Sequence, residues 1–291
     1  TNYAETLLSR ALVIFLRWQN DNVLRLLLDA DPSLASNQYS SEFMGPLYRE
    51  KRFSTLELLL EKHASVDDVT FDGVPILQRA VSDHMTTIVK LMIDTKANVN
   101  VRDPQWNETP LILASRQRFR DIVELLLEAK AALDAKDCHG HTPLHHAVNV
   151  HRKTVNKYPA DESIVKMLVD AKAPLEYGAL RIAIDQRQSA VVKILVNAKA
   201  NLSVKDKRGD TLLMIAMKKR STSIIEILLT ADPALLDECD PEGKTALMSA
   251  IHQYPAPEDA RIVRMMLKHA WAHCAAQSDD EPPAKRFKRT K

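Results

Sequence analysis

The feature that most restricts what this chain can fold into is a pattern that runs through it twice between residues 103 and 148. The first pass reads Asn107-Glu108-Thr109-Pro110-Leu111-Ile112-Leu113-Ala114, followed by Asp121-Ile122-Val123-Glu124-Leu125-Leu126-Leu127-Glu128-Ala129. The second opens Gly140-His141-Thr142-Pro143-Leu144-His145-His146-Ala147. Each position has a physical duty. The Thr142 hydroxyl can cap a helix by accepting from a backbone N–H. Pro143, in the first turn, lacks only a donor that would have no helical partner there. Leu144 and Ala147 share a helical face, and the small Ala lets a neighbouring helix approach. Ile122, Val123, Leu125, Leu126 and Leu127 make a second helix whose apolar stripe is too wide for a surface helix. Such a helix needs a neighbour on each side, which a stack of like units supplies.

The same spacing returns along the chain, as Gly209-Asp210-Thr211-Leu212-Leu213-Met214-Ile215-Ala216 and Gly243-Lys244-Thr245-Ala246-Leu247-Met248-Ser249-Ala250. Helices of about ten residues alternating with turns that carry Gly and Asp predict an α-solenoid. The motif resembles the ankyrin repeat, whose signature T-P-L-H-x-A returns every ~33 residues, and the resemblance covers roughly residues 20–274. It implies an all-α ankyrin-repeat solenoid of helix-turn-helix units with short β-hairpin fingers. Residues 1–40 are expected to form an N-terminal capping helix pair, with helices at Thr6–Trp18 and Asp21–Ala30. Residues 41–275 then hold about seven units, the last of them a C-terminal cap. The first of these units is degenerate, its first helix short. Residues 276–291 turn polar and charged and are expected to be a disordered basic tail.

Other classes fit poorly. No apolar run reaches the ~18 residues of a transmembrane span, so no membrane role is expected. Tyr3–Leu16 is apolar but carries Glu5 and Arg10 and lacks the basic start of a secretory leader. The chain begins at Thr1 and not Met, which suggests a trimmed upstream piece. Three cysteines, Cys138, Cys239 and Cys274, are odd in number and far apart, which suits a reducing cytosol or nucleus. The net charge of +2 equals the excess of Lys285, Arg286, Lys288, Arg289 and Lys291 over Asp279, Asp280 and Glu281 in the tail. The repeat body is therefore about neutral, which argues against binding to a nucleic-acid backbone. Gly243-Lys244-Thr245 resembles the end of a phosphate-binding loop, but the earlier Gly such a loop needs is replaced by Glu238. Cys138, His139, His141, His145 and His146 lack a second Cys pair to complete a tetrahedral set. Neither a metal nor a cofactor is expected, and with no nucleophile or zinc-protease motif the chain is not expected to be an enzyme.

There is one systematic departure from the repeat pattern. Its second helix normally ends in Gly-Ala, but here the Gly slot holds Lys96, Lys130, Lys172 and Lys199, with His63 and His269 in two other units. A left-handed cap without Gly costs up to ~1 kcal/mol, partly offset by a cation facing the last carbonyls. These lysines form either a solvated edge or a strip for an acidic partner.

The resemblance also implies where binding occurs: on the concave side, made of finger tips and the exposed side of each first helix, against another protein. Carried over position by position, it points to Phe71, Asp72, Ser82 and Asp83 in one unit and to Gln105, Trp106, Glu108 and Arg116 in the next. The following unit contributes His139 and His141, and a later one Lys207, Arg208 and Lys218. Phe71 and Trp106 stand out, because large aromatics at tips have little structural duty and Trp is enriched in binding hot spots. Trp106 folding back on the neighbouring finger is the alternative. Two long loops share Tyr-Pro-Ala, at Tyr158-Pro159-Ala160 and Tyr254-Pro255-Ala256, and are either tolerated insertions or a second contact site.

The tail run Pro282-Pro283-Ala284-Lys285-Arg286-Phe287-Lys288-Arg289 resembles a monopartite nuclear localisation signal. Lys285, Arg286, Lys288 and Arg289 would engage importin-α, placing the protein in nucleus and cytoplasm. Ser278, followed by Asp279-Asp280-Glu281, resembles a site for an acid-directed kinase, and phosphate there would tune import. The expected protein is a monomeric, non-enzymatic scaffold. The alternative is a host-directed effector or adaptor that delivers a substrate to a separate activity such as a ubiquitin ligase.

Overall fold

The computed structural model describes residues 21–30, 45, 47–61, 73–149, 162–253 and 260–277. The described regular structure is helical. In chain order the helices are α1 (Asp21–Ala30), α2 (Phe53–Glu61), α3 (Ile76–Ser82), α4 (Thr86–Asp94), α5 (Pro110–Gln117), α6 (Arg120–Glu128) and α7 (Pro143–Val148). There follow α8 (Glu162–Asp170), α9 (Tyr177–Asp185), α10 (Ser189–Asn197), α11 (Leu212–Lys218), α12 (Thr222–Ala231), α13 (Ala246–Gln253) and α14 (Ala260–Gln277), with a 3-10 turn at Pro233–Leu236. The described residues are all-α, as the resemblance to the repeat implies. The predicted helix at Thr6–Trp18 and the tail beyond Gln277 lie outside the described residues.

In three repeats the motif's threonine caps the first helix, whereas α3 and α9 follow Pro75 and Glu176 without a side-chain cap. Thr109 Oγ1 accepts from Ile112 N, Thr211 Oγ1 from Met214 N and Thr245 Oγ1 from Met248 N. The described residues fall into two compact units. One runs up to Ala147 and includes 162–173; the other holds 148–149 and everything from Pro174 onward. In the first unit α3 packs on α5, while α2, α4, α6 and α8 stack side by side. In the second, α9, α11 and α13 form one layer and α10, α12 and α14 the other. Four of the stacked helices, α4, α6, α8 and α10, bury a narrow set at i, i+1 and i+4, such as Ile88, Val89 and Met92 on α4 and Ile122, Val123 and Leu126 on α6. Leu125 and Leu127 are only half-buried, so the wide stripe divides between a core seam and the flanks.

The fingers differ from the expected hairpins. Among the described residues there is no strand, and two fingers are closed by single antiparallel bridges, Lys205–Thr211 and Cys239–Thr245. The physical reason is that an aspartate side chain takes up the finger's N–H groups and competes with a ladder.

The Lys-for-Gly departure is real backbone geometry. Lys96, Lys130, Lys172 and Lys199 have φ of 67°, 58°, 69° and 66°, in the left-handed region. At Lys130 the bonds Lys130 N to Leu127 O and Ala131 N to Leu126 O, at 3.0 and 2.9 Å, close a Schellman cap. Ala97, Ala131, Ala173 and Ala200 follow these lysines and are buried. A second series was not anticipated. Lys51, His84, Arg118, Arg187 and Arg220, between the two helices of a repeat, also have positive φ. His84 aside, both series place lysine or arginine at helix ends where the last carbonyls converge, which favours positive charge. His269 does not belong with them: α14 continues unbroken to Gln277, so this residue is inside a helix and caps nothing. His63 lies outside the described residues.

Candidate functional site

Among the described residues, the fingers opened by Asp103, Asp137, Asp206 and Asp240 are organised by that aspartate. Asp103 Oδ2 accepts from Gln105 N and Trp106 N at 3.1 and 2.9 Å, while its Oδ1 accepts from Glu108 N at 2.7 Å. Asp137 Oδ1 accepts from His139 N and His141 N, both at 2.8 Å. Adjacent fingers are joined by backbone and side chain. Cys138 N donates to Trp106 O at 2.9 Å, and one guanidinium nitrogen of Arg102 reaches both Asn107 O and Lys136 O. The tips are thus held at fixed spacing with their outward side chains free to vary.

On this frame an aromatic and imidazole strip runs across two repeats. The Trp106 indole, 47% exposed, stacks on His139 with ring centres 6.1 Å apart. His139 stacks on His141 at 5.9 Å, and His141 on His145 at 5.5 Å. Trp106 therefore leans on the neighbouring finger and still presents much of its surface to solvent. His145 has a structural duty, its Nδ1 lying 2.9 Å from Thr142 Oγ1. His146 is buried with Nε2 2.8 Å from Asp137 Oδ2. Burial pushes the His146 pKa down to about 4, against the pull of Asp137. Burial also raises the Asp137 carboxyl, but bonds from His141 N, the His146 ring and His139 N outweigh it and hold the group below the usual carboxylate range.

Other predicted residues are occupied within the fold. Glu108 is buried and accepts from Arg116 at 2.8 Å, so this pair supports the finger and offers a partner only the half-exposed guanidinium. Asp83 is exposed but accepts from the buried Tyr48 hydroxyl at 2.7 Å. Ser82, Gln105 and His139 are exposed.

In the second unit, the finger opened by Asp206 carries charge in place of rings. Lys218 pairs with Asp210 at 2.5 Å and Lys219 with Asp185 at 3.0 Å. Arg181 bridges Asp185 and Asp206 at 2.8 and 3.1 Å. Together with the exposed Arg208 they line a cleft of about 390 Å³. What reads in sequence as a basic patch is an alternating network, because Asp206 and Asp210 lie among its cations and Asp185 joins from the preceding repeat. Lys207 is exposed at its edge. Phe71, Asp72, both Tyr-Pro-Ala triplets, Ser278 and the cations Lys285, Arg286, Lys288 and Arg289 lie outside the described residues.

Sequence reasoning missed the finger aspartates. Their signal was present as Asp-x-x-Gly at 137/140, 206/209 and 240/243. It also missed that Asp137, His141 and His146 converge, with one ligand atom of each within 4.8 Å of the others. Cys138 and Cys239 are free thiols, the first exposed. No described helix is long and apolar enough to cross a membrane.

Known proteins share this architecture. A family model described as ankyrin repeats in three copies matches residues 47–137, 77–173 and 180–278. The ankyrin repeat and KH domain-containing protein mask-1 of Caenorhabditis elegans is 25% identical over 210 residues, covering 62% of this chain and 8% of mask-1. Palmitoyltransferase AKR1 of Lachancea kluyveri is 27% identical over 212 residues, covering 72% of this chain and 28% of AKR1. The matched part is thus under a third of each relative's own length. The crystal structure of the Bcl-3 ankyrin repeat domain superposes with a TM-score of 0.61 at 19% identity, covering 77% of this chain and 96% of that domain. At that identity the likeness speaks to the fold alone.

Proposed function

The chain belongs to the ankyrin-repeat family, a fold that serves as a protein–protein interaction scaffold, and on that premise we propose that it binds a protein partner through its finger tips and first helices, with the Trp106–His139–His141 strip at the centre. The observation that carries this reading is a half-exposed indole held on a finger whose backbone is pinned by Asp103 and by the next finger. A rigid, exposed aromatic loses little entropy when a partner covers it, which is why such residues dominate binding energy. The charged cleft of the second unit contributes orientation and not affinity, since Arg181, Lys218 and Lys219 already have partners. The chemistry is non-enzymatic. AKR1 is named a palmitoyltransferase, but the match takes in only 28% of it.

The proposal extends to nuclear entry. Its support is the sequence Lys285-Arg286-Phe287-Lys288-Arg289 behind Pro282-Pro283, whose cations suit an acidic importin-α groove, with Ser278 as the residue whose phosphorylation tunes it. The protein acts as a monomer moving between cytoplasm and nucleus. A second reading, an adaptor or effector that delivers its partner to a separate activity such as a ubiquitin ligase, draws on the relatives, in which the matched array is a small part of a longer chain.

The test is quantitative capture from cells with wild type, Trp106→Ala and a version ending at Ala276. Loss of a partner with Trp106→Ala, and of importin-α with the truncation, is expected. Unchanged partners in Trp106→Ala would move the site elsewhere.

A further inference from the structure

At the inner end of the exposed strip three side chains meet, of which the protein-binding reading uses only His141. We propose that Asp137, His141 and His146 form a binding site for a single divalent transition-metal ion of the zinc class. Asp137 Oδ2 lies 2.8 Å from His146 Nε2 and 3.8 Å from His141 Nδ1, and all three ligand atoms fall within 4.8 Å of one another. Zinc bonds of ~2.0–2.2 Å at tetrahedral angles set neighbouring ligand atoms about 3.3 Å apart. The two short separations bracket that value, so small rotations of two rings about their χ angles seat an ion.

The surroundings suit a ligand set. The Asp137 and His146 side chains are 3% and 9% exposed. Asp137 Oδ1 is taken by His139 N and His141 N, which fixes the carboxylate and leaves Oδ2 as the donor. Such bonds to the second oxygen are what orient metal-binding carboxylates. Two imidazoles and one carboxylate select zinc, cobalt or nickel over calcium and magnesium, which prefer oxygen alone. His141 is 43% exposed, so the ion is reached from solvent and water completes its coordination. His145 is not among the converging ligand atoms, and its Nδ1 lies against Thr142 Oγ1.

The cluster is particular to this repeat. The positions matching His141 and His146 hold Asp210 and Ile215 in one later unit and Lys244 and Ser249 in the next. A bound ion ties the finger to the first helix of its own repeat, one ring away from His139 and two from Trp106. Ion binding then stiffens the strip that meets the partner. The inference rests on the three side chains alone and stands or falls separately from the partner.

The experiment is a Co²⁺ titration of the full chain followed by visible absorption, with Zn²⁺ competition and thermal melts in chelator and in Zn²⁺. The expected result is one Co²⁺ per chain, displaced by Zn²⁺, with a Zn²⁺-dependent rise in Tm. His141→Ala removes a half-exposed ring, and His141→Gln keeps its bulk. Both are expected to weaken metal binding at least ~10-fold. His84→Ala, which removes an exposed imidazole paired with Asp121, is expected to leave it unchanged. Absence of a Zn²⁺-dependent shift in the wild-type chain overturns the proposal. So does equal metal affinity in wild type and both His141 variants, which would assign binding to other histidines and leave this cluster a hydrogen-bonded cap.

Discussion

The fingers opened by Asp137 and Asp206 share a backbone design and differ in what they carry. Both read Asp-x-x-Gly-x-Thr, and in both one carboxylate oxygen accepts two backbone N–H bonds of 2.8–2.9 Å. The second oxygen meets the buried His146 ring in the first finger and the Arg181 guanidinium in the other. The glycines differ too. Gly140 has open space around it, whereas a side chain at Gly209 would meet Pro241 of the next finger at 2.3 Å. The repeat therefore fixes the turn with one oxygen and individualises it with the other. Stacked rings make one finger suited to close contact, while paired charges make the other a water-facing surface with little affinity of its own.

The comparison can be broken at several points. The largest effect is expected at the glycines. Gly209→Ala combines a φ of 81° with the Pro241 clash and should cost about 3 kcal/mol, against about 1 kcal/mol for Gly140→Ala at a φ of 80° with no neighbour. Urea unfolding of both variants measures the gap, and equal costs would remove the packing distinction. Next, Asp137→Ala strands two finger N–H groups and the His146 ring and should cost about 2 kcal/mol. Asp206→Ala, whose partners are nearer water, should cost about 1 kcal/mol.

The two fingers should also separate by pH. His146 is neutral in the fold, with its pKa lowered from 6.5 to about 4. The unfolded chain thus binds the extra proton first, so this contribution is intact above pH 6.5 and is lost as pH falls toward 4. Asp137, also lowered, adds loss in the same direction at more acid pH. His146→Gln should flatten stability between pH 6.5 and 4. A slope identical to wild type would show that the ring is not the titrating group.

Smaller effects test the caps and the charges. Lys130→Gly relieves a φ of 58° and should stabilise by about 0.5–1 kcal/mol. Arg118→Gly relieves 66° but removes the guanidinium bonds to Ser115 O and Ala147 O, so it should gain less or lose. Lys218→Ala breaks a pair whose lysine is 51% exposed and should change stability by under ~0.5 kcal/mol.

Much of the fold was legible because its signals are local. Thr109-Pro110 and the run from Ile122 to Leu126 define a cap and a core seam in consecutive residues, and Asp21–Ala30 forms a helix with the bounds read from its pattern. The lysine caps were legible as an exception to a Gly slot. The positive-φ series at Lys51, His84, Arg118, Arg187 and Arg220 was not, because only the helix-ending turn gave the Gly-Ala reference. His269 misled because its Lys-His-Ala setting imitates a cap while α14 runs on. At the site, Trp106 was readable as an exposed tip residue. The engagement of Glu108 by Arg116, of Lys219 by Asp185, and of His146 by Asp137 depends on residues brought together by the fold, and spacing alone does not show it.

The most direct test of the central claim is quantitative proximity labelling with wild type, Trp106→Ala and Lys218→Ala compared side by side. The account predicts that at least one protein falls about 30-fold or more with Trp106→Ala, the scale of a hot spot, and is retained with Lys218→Ala. Retention of every partner in Trp106→Ala, or a loss confined to Lys218→Ala, would contradict it.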